Sequence, residues 1–356
     1  MKRCTQCVLP DTYPNIQFDE QGVCNFCSAH KSPVYAGKDA LIRQIDRLKS
    51  KTGSYEAILG LSGGRDSTFT AHYIVKELGL KVVAFTYDNG MIPDTTWENI
   101  HNTVSTLDID HRVISPQTLQ KTVKQVLNGM TYRPSPAMVA FLCTGCYQGI
   151  TESYRQIVAE TDCHLVIKGG GEPEQSFAEN LLAGEGPSTR KKLIKGFARE
   201  FLRNPSYLNP ALLKSFYTEY KMRYAGPKRN YKSIYLFNYV EWDEQRILST
   251  IQEQLKWRVP DKMSSSWRSD CKINVIRQYL YQQLLSFTKN DELLSQLIRV
   301  GAITREDALS RLEVENVTNE ELLREILTEV EFDPEKLFRA MSRYERNQLP
   351  NSSVTH

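Results

Sequence analysis

The sequence predicts an α/β protein organised around a doubly wound parallel sheet. Short apolar runs alternate with amphipathic, helix-forming stretches between residues 56 and 168, which is the pattern of strands joined by helical crossovers. The first apolar run breaks at two glycines and is followed at once by a helix-forming stretch. The composition fits a water-soluble globular chain, because 40% of its 356 residues are hydrophobic and 24% are charged.

The elements of the sheet follow from these runs in order. A polar amphipathic helix over 37–52 leads into the first strand. The predicted strands cover residues 56–61, 81–87, 110–114, 164–168 and 233–240, and the predicted helices cover residues 67–79, about 95–106, 117–128, a stretch ending at about 160, and 243–255. Ligands of such sheets bind at the carboxyl ends of the strands. Residues that directly follow a strand are therefore site candidates.

The rest of the chain divides into an N-terminal segment, an insertion and a helical tail. We expect a zinc ribbon over 1–35, the sheet domain over 36–260 with an insertion at about 184–232, and a helical C-terminal region over 261–356. Helical patterns in the tail cover residues 273–285, 291–300, 304–312, 319–330 and 334–344. A basic amphipathic run within the insertion either meets RNA, a phosphorylated ligand or a partner subunit, or is a solvated face.

Charge and cysteine usage limit the functional classes. A net charge of +3 is too small to argue for a nucleic-acid partner, and the longest relevant apolar run, residues 137–143, is too short to span a membrane. Eight cysteines without a secretory pattern at the N-terminus indicate a reducing compartment. We therefore expect a cytoplasmic enzyme without a membrane partner, and leave its oligomeric state open, with a dimer among the alternatives.

Four cysteines near the N-terminus have the spacing of a zinc ribbon. Cys4 and Cys7 form one CxxC, Cys24 and Cys27 form a second, and 16 residues separate the two. Two such knuckles supply four thiolates in a tetrahedron, and the segment is too short to bury a core of its own. We therefore expect a structural Zn²⁺ here. A redox dithiol is the alternative.

The turn after the first strand reads Ser-Gly-Gly-Arg-Asp-Ser over residues 62–67, called here the glycine loop. Strand, glycine turn and helix together aim backbone N–H groups at a phosphate, and the serine hydroxyls add donors. Asp66 would repel a phosphate unless it holds Mg²⁺ or caps the helix. The candidate nucleotide-binding residues are Ser62, Gly63, Gly64, Arg65, Asp66 and Ser67. An ordinary glycine-rich turn is the alternative.

The glycine loop resembles the SGGxDS pyrophosphate loop of the PP-loop ATP pyrophosphatases, which have an adenine nucleotide alpha-hydrolase-like fold and cleave ATP to AMP and pyrophosphate. The resemblance implies ATP with Mg²⁺, and a catalytic role for Asp66. It also implies that Asp88, after the second strand, lies beside the base and ribose, although an Asx-turn explains this residue equally well. Gly170 and Glu172 follow a later strand and would approach the nucleotide or Mg²⁺, unless they belong to a flexible loop.

Almost the whole chain is similar to the N-acetyl sugar amidotransferases of surface-polysaccharide (lipopolysaccharide) biosynthesis. The similarity rests on the four-cysteine knuckle, the glycine loop and a late helical tail, in which residues 297–309 read Leu-Ile-Arg-x-Gly-x-Ile-Thr-Arg-Glu-Asp-Ala-Leu. It implies ATP-dependent conversion of an acetamido group on a sugar or sugar nucleotide to an acetamidino group. A glutaminase and synthase pair would supply the ammonia.

A second resemblance concerns three further cysteines. Cys143 and Cys146 form a CxxC near a predicted helix N-terminus, where thiolates are favoured. With Cys271 they look like the cysteine set of PP-loop tRNA thiolation enzymes. That resemblance implies catalytic cysteines that hold a [4Fe–4S] cluster or carry a persulfide, and sulfur transfer to a small molecule or tRNA. Buried structural cysteines are the alternative.

The two resemblances predict different transferred atoms. Ammonia transfer gives no reason for three active-site cysteines, whereas the tRNA enzymes are not expected to carry the helical tail, and the basic character of this chain is mild. We therefore expect nitrogen transfer, with sulfur transfer as the alternative. A zinc-ribbon scaffold with an inactive nucleotide site is a third, non-enzymatic reading, which the intact glycine loop disfavours.

Overall fold

Five parallel strands form the sheet on which the protein is built. The structure, a computed structural model, describes residues 1–50, 53–115, 119–170, 190–220 and 230–344. The strands are β1 (Ala57–Gly60), β2 (Val82–Tyr87), β3 (Asp110–Ile114), β4 (Leu165–Lys168) and β5 (Lys232–Tyr235). Their spatial order is β3-β2-β1-β4-β5, and all four pairings are parallel. The predicted fold class is confirmed, and the strand order reverses between β1 and β4.

Helices flank the strands and make up the C-terminal part of the described chain. In chain order they are α1 (Asn25–Ser28), α2 (Lys38–Leu48), α3 (Arg65–His72), α4 (Asp94–Leu107), α5 (Leu119–Tyr132), α6 (Thr144–Thr161), α7 (Arg190–Arg203), α8 (Pro210–Tyr220), α9 (Glu244–Leu255), α10 (Ile273–Leu285), α11 (Lys289–Arg299), α12 (Arg305–Glu315), α13 (Glu320–Glu329) and α14 (Pro334–Ser342). The helical C-terminal region is thus also confirmed.

Helices cover both faces of the sheet. Successive side chains of a strand point to opposite sides, so each strand contributes to two hydrophobic cores. Leu59 of β1 packs in a core with α2, α3, α4 and α9. Its neighbour Ile58 packs in a second core with Tyr154 and Ile157 of α6. Both side chains are fully buried, which explains why the strand reads as a continuous apolar run.

A further core lies beside the sheet and brings the two ends of the chain together. The N-terminal cysteines share it with α5, α10, α13 and α14. Val8 is buried in a smaller cluster with α11 and α12. Burial against these helices means that the N-terminal segment is supported by the helical tail, although the two are almost 300 residues apart in sequence.

Several element ends differ from the sequence prediction; α5, for example, continues to Tyr132 instead of ending at 128. Strand β5 ends at Tyr235 instead of residue 240, because a 3₁₀ turn (Leu236–Asn238) follows and the N–H of Phe237 donates to the carbonyl of Gly170 at 3.2 Å. The helix after the glycine loop changes to a π-helical turn (Tyr73–Glu77). The apolar pattern did not reveal these changes, since Leu236 and Phe237 are buried in the turn as they would be in a strand.

The predicted domain boundaries stay predictions. Helices α7 and α8 belong to the expected insertion, while its residues 184–189 and 221–229 lie outside the described residues. Among the helices that the structure describes, none has both the length and the apolar character needed to cross a membrane.

Candidate active site and metal centre

The glycine loop connects β1 to α3 at the carboxyl edge of the sheet, beside the point where the strand order reverses. Gly63 has a φ of +76°, and a Cβ there would lie 2.7 Å from Cγ2 of Thr96, so a larger residue does not fit. Gly64 caps α3, and no side chain in the described structure caps its first turn. The first-turn N–H groups have no acceptor within the helix. The loop therefore has the backbone arrangement of an anion site, and nucleotide binding by residues 62–67 stays a prediction.

Two serine hydroxyls brace the loop from within. The hydroxyl of Ser67 donates to the carbonyl of Gly64 at 3.0 Å and lies 3.0 Å from the Oγ of Ser62. The N–H of Ser62 also donates to this Ser67 Oγ, at 3.3 Å. Ser62 is exposed, so its hydroxyl is accessible to a ligand bound in the loop.

The side chain of Arg65 is buried among partners from the later part of the chain. It is only 2% exposed, forms an ion pair with Glu244 and donates to the hydroxyl of Ser266 at 2.8 Å. The guanidinium therefore contacts the protein interior, and a nucleotide role for Arg65 stays a prediction that the backbone would have to carry. The backbone of Arg65 still belongs to the first turn of α3.

Asp66 sits at the start of α3 with one oxygen engaged. Its Oδ1 accepts a hydrogen bond from Nε1 of Trp242 at 3.2 Å. Burial raises the pKa of Asp66, and the neighbouring Arg65 charge and the Trp242 hydrogen bond offset this only in part. The carboxylate is 24% exposed, so it remains accessible to a cation at the loop.

Two of the other predicted neighbours of the nucleotide, Asp88 and Gly170, follow strands at the same edge of the sheet. Asp88 accepts from the N–H of Gly90 at 2.9 Å and from the hydroxyl of Ser115 at 3.2 Å, which is the Asx-turn alternative. Gly170 follows β4 and has a φ of +133°. Glu172 lies outside the described residues. A nucleotide role for Asp88, Gly170 and Glu172 stays a prediction.

The three later cysteines share one cavity with the start of the glycine loop, called here the cysteine cavity. It has a volume of about 340 Å³ and is lined by Cys143, Cys146, Cys271 and Ser62, among others. Cys143 and Cys146 belong to the N-terminus of α6, and Cys271 precedes α10. The fold therefore brings sulfurs from two distant chain segments next to the loop. Their catalytic or cluster-binding role stays a prediction.

Sequence reasoning missed Asn89 and Arg277, which also line the cysteine cavity. The Nδ2 of Asn89 lies 3.4 Å from the sulfurs of both Cys146 and Cys271, and its Oδ1 accepts from the N–H of Met91 at 2.8 Å. Arg277 is 8% exposed. Asn89 directly follows Asp88 at the end of β2, so its place after a strand was a usable signal, whereas Arg277 lies within a helix and gave none.

Burial favours the protonated form of two thiols of this cavity, Cys146 and Cys271, when only protein groups act on them. It raises the pKa of Cys146 to about 12, despite the hydrogen bond from Asn89, and raises the pKa of Cys271 further. At Cys146 the thiolate expected from the helix N-terminus is therefore not favoured by the protein alone, which corrects the sequence interpretation for that residue. A coordinated metal would change this, because metal ligation deprotonates a thiol.

The four N-terminal cysteines form a tight, buried group. All four sulfurs lie within 4.8 Å of one another; Cys4 and Cys27 are 4.0 Å apart, and Cys7 and Cys24 are 3.8 Å apart. Tetrahedral Zn²⁺ with Zn–S bonds of about 2.3 Å places its sulfurs about 3.8 Å apart. The N–H groups of Cys7 and Cys24 donate to the sulfur of Cys4 at 3.4 and 3.2 Å. This geometry fits one zinc ion, while the identity of the metal stays a prediction.

Arginines of the helical tail hold this cysteine group in place. Arg305, the first residue of α12, donates to the carbonyl oxygens of Cys4 and Cys7 at 3.1 to 3.3 Å. Nη1 of Arg299 lies 3.9 Å from the sulfur of Cys7. The basic residues of the tail pattern therefore support the metal centre, a role that their spacing alone did not indicate.

Comparisons with known proteins give local sequence matches and distant structural ones. None of the known family models matches the chain. A glutamine-hydrolyzing GMP synthase from Lactobacillus gasseri is 37% identical over 68 residues, covering 19% of this chain and 13% of that protein. Another from Pyrobaculum aerophilum is 30% identical over 82 residues, covering 23% and 16%. The chain thus matches less than a fifth of the length of these relatives.

Two solved structures are similar over most of their length, at 14% sequence identity. The U34-tRNA thiolase NcsA from Methanococcus maripaludis, solved with its [4Fe-4S] cluster, has a TM-score of 0.35 and matches 88% of this chain and 90% of its own. The NMN synthetase from Francisella tularensis has a TM-score of 0.37 and matches 81% of this chain and 97% of its own.

We predict that Cys24→Ala removes the metal from the N-terminal site and destabilises the tail that packs on it. Zinc content should fall from about one ion per chain to near zero, because three thiolates do not close a structural site. The free energy of unfolding should fall by about 3 kcal/mol or more, as for other losses of a structural metal. Metal analysis by mass spectrometry and chemical denaturation check both.

The matched control is Cys163→Ala, since Cys163 is also fully buried but packs against the sheet, away from the metal site. It should retain the zinc of the wild type. Equal zinc content in the Cys24 and Cys163 variants would contradict the assignment.

Proposed function

We propose that the protein is an ATP-dependent enzyme that activates a substrate carbonyl oxygen by adenylation and releases pyrophosphate. The observation that carries this proposal is the uncapped N-terminus of α3, which follows the glycine turn and opens beside the cysteine cavity. Backbone N–H groups in this position stabilise the charge that develops on a departing pyrophosphate. ATP is thus a substrate, and its phosphates would bind residues 62–67.

The residues of the loop have separate roles in this reaction. The hydroxyl of Ser62 would donate to a phosphate oxygen, with the backbone N–H groups of Gly64 and Asp66 beside it. The hydroxyl of Ser67 would donate to phosphate only by giving up its hydrogen bond to the carbonyl of Gly64. Asp66 would hold Mg²⁺ through the oxygen that does not accept from Trp242. Asp88, Gly170 and Glu172 are proposed to lie along the rest of the nucleotide.

We propose nitrogen transfer to an N-acetylated sugar as the second half of the reaction. The acetamide oxygen would attack the α-phosphorus of ATP, so that a P–O bond forms and pyrophosphate leaves. Ammonia would then add to the activated carbon, and AMP would leave with the former carbonyl oxygen, giving an acetamidino group and a released proton. The similarity of the helical tail to sugar amidotransferases supports this order of steps.

The source of nitrogen is proposed to be a separate glutaminase and synthase pair. The matched relatives are named as glutamine-hydrolyzing enzymes, but they match this chain over a fifth of its length only. That local match is consistent with nitrogen chemistry and does not identify the acceptor. The proposal includes a place for this reaction in surface-polysaccharide biosynthesis, carried out in the cytoplasm.

We predict that Asp66→Asn lowers pyrophosphate release by at least about a hundredfold, because the reaction loses a metal ligand beside the transferred phosphoryl group. Asp66→Ala should abolish the activity while leaving the fold intact. Pyrophosphate is measured with Mg-ATP, ammonium and a panel of N-acetylated sugar nucleotides.

Asp94→Asn is the matched control. Asp94 also lies in the first turn of a helix that follows a strand, but its side chain is exposed. Normal turnover by the Asp66 variants would sink the assignment.

Sulfur transfer is the second candidate function, and the convergence of three cysteines in one cavity favours it. Cys143, Cys146 and Cys271 would hold a [4Fe–4S] cluster, or one of them would carry a persulfide. A cluster held by three cysteines supplies an iron with an open position that can bind sulfur. Asn89 would hydrogen-bond two of the ligand sulfurs, and the charge of Arg277 would offset the negative charge of the thiolates. The acceptor would be a small molecule or tRNA.

The metal content of anaerobically purified and reconstituted protein separates the two candidates. Nitrogen transfer predicts colourless protein with about one zinc per chain, unchanged in Cys143→Ser, Cys146→Ser and Cys271→Ser variants. Sulfur transfer by a cluster predicts brown protein that loses iron in each variant while the N-terminal site keeps its zinc. Colourless protein, or iron that survives all three substitutions, would contradict the cluster.

A further inference from the structure

Arg65 lies in the middle of the glycine loop, yet its side chain is 2% exposed. Burying a guanidinium is costly unless other groups compensate its charge. Glu244 pairs with Nη1, which also donates to Ser266, and the rings of Trp242 and Trp267 lie 4.9 and 5.1 Å from the guanidinium carbon. These partners follow the sheet in the sequence, so the loop is fixed by residues almost 180 or more positions away.

Glu244 is shared between two arginines. Its Oε2 accepts from Nη1 of Arg311 at 2.7 Å, and its Oε1 lies 3.3 Å from Nη2 of the same residue. Burial raises the pKa of Glu244, but hydrogen bonding and charge from Arg311 and Arg65 more than offset this and lower it. The carboxylate is therefore held charged between the loop on one side and α12 on the other.

The position of Arg311 is itself fixed by the tail. Its Nε donates to Oε1 of Glu315 at 2.8 Å, and the hydroxyl of Ser265 donates to Oε2 of that glutamate at 2.8 Å. Arg311 is 26% exposed, so it can be changed with less disturbance of the core than Arg65.

The loop receives two further contacts from the same part of the chain. Nε1 of Trp257 donates to the carbonyl of Gly63 at 2.9 Å, and Nε1 of Trp242 donates to Asp66. In contrast, Nε and Nη2 of Arg65 make no hydrogen bond within the described residues, although Nε lies 3.4 Å from Oδ1 of Asp66. The guanidinium depends heavily on Glu244, and a shift of that carboxylate would move Arg65 and, with it, Asp66.

We propose that Arg65, Glu244 and Arg311 are positioning residues that hold the glycine loop in its nucleotide-binding shape. The side chain of Arg65 does not touch the nucleotide; it ties the loop to Glu244, and Arg311 fixes Glu244 from the helical tail. This role rests on the proposed function of the loop as an ATP site. It gives a reason for an arginine in the loop, and it makes a site at the edge of the sheet dependent on the helical tail.

The test compares Arg311→Met with Arg324→Met. Methionine keeps an unbranched apolar stem and removes the charge. Arg324 is the matched control, because it also bridges two carboxylates of the tail, Glu320 and Glu335, but lies on an exposed face away from the loop. Binding of α,β-methylene ATP with Mg²⁺ is measured by calorimetry, which reports the dissociation constant and the number of competent sites separately.

A positioning role predicts that Arg311→Met raises the dissociation constant by about tenfold or more, since misplacing contacts by an ångström has effects of this size, with the number of sites unchanged. Arg324→Met should bind like the wild type. Arg65→Lys should lose at least as much affinity, because lysine keeps the charge but not the planar group that stacks on both indoles. Arg311→Met decides the question if Arg65→Lys does not fold.

Wild-type affinity in Arg311→Met, or fewer sites at an unchanged dissociation constant, would overturn the positioning role. The second result would mean that Arg311 supports only the stability of the fold. A wild-type protein that does not bind the analogue would instead overturn the ATP proposal, and the positioning role with it.

Discussion

The carboxylate of Glu244, held between Arg65 and Arg311, connects the parts of this protein that matter for its function. Arg65 belongs to the glycine loop, and Arg311 belongs to α12, the helix that begins with the arginine holding the carbonyls of Cys4 and Cys7. Helix α12 therefore contacts the N-terminal cysteine group at one end and, through Arg311 and Glu244, the side chain of the glycine loop's arginine. Breaking a buried ion pair of this kind typically costs about 3–5 kcal/mol, so the tail, the metal centre and the loop are expected to depend on one another.

Much of the fold could be predicted because its signals are local. The apolar run at Ile58 and Leu59, the glycine turn after it and the helix that follows predict a strand, an anion site and their order. The paired CxxC motifs predict a metal site, and the buried sulfurs at 3.8 and 4.0 Å agree with it. Each of these conclusions uses residues close together in the sequence.

The rest could not be predicted because it depends on long-range contacts. Glu244 is 179 residues from Arg65, and nothing in the loop motif shows whether its arginine faces the nucleotide or the interior. The turn that ends β5 is fixed by a hydrogen bond to Gly170, far away in sequence. Likewise, burial reverses the thiolate preference that the helix N-terminus gives Cys146. Sequence could suggest that Cys143, Cys146 and Cys271 converge, but only the fold brings Asn89 between two of their sulfurs.

The central claim is that the glycine loop holds the pyrophosphate that leaves during adenylation, whichever atom attacks afterwards. The most direct measurement is phosphorus NMR of the wild-type holoenzyme turning over Mg-ATP with N-acetylated sugar nucleotides and ammonium. The account predicts AMP and pyrophosphate in equal amounts, formed only when an acceptor is present. Formation of ADP and inorganic phosphate would contradict it, because ATP would then be cleaved between its β- and γ-phosphates instead of between its α- and β-phosphates.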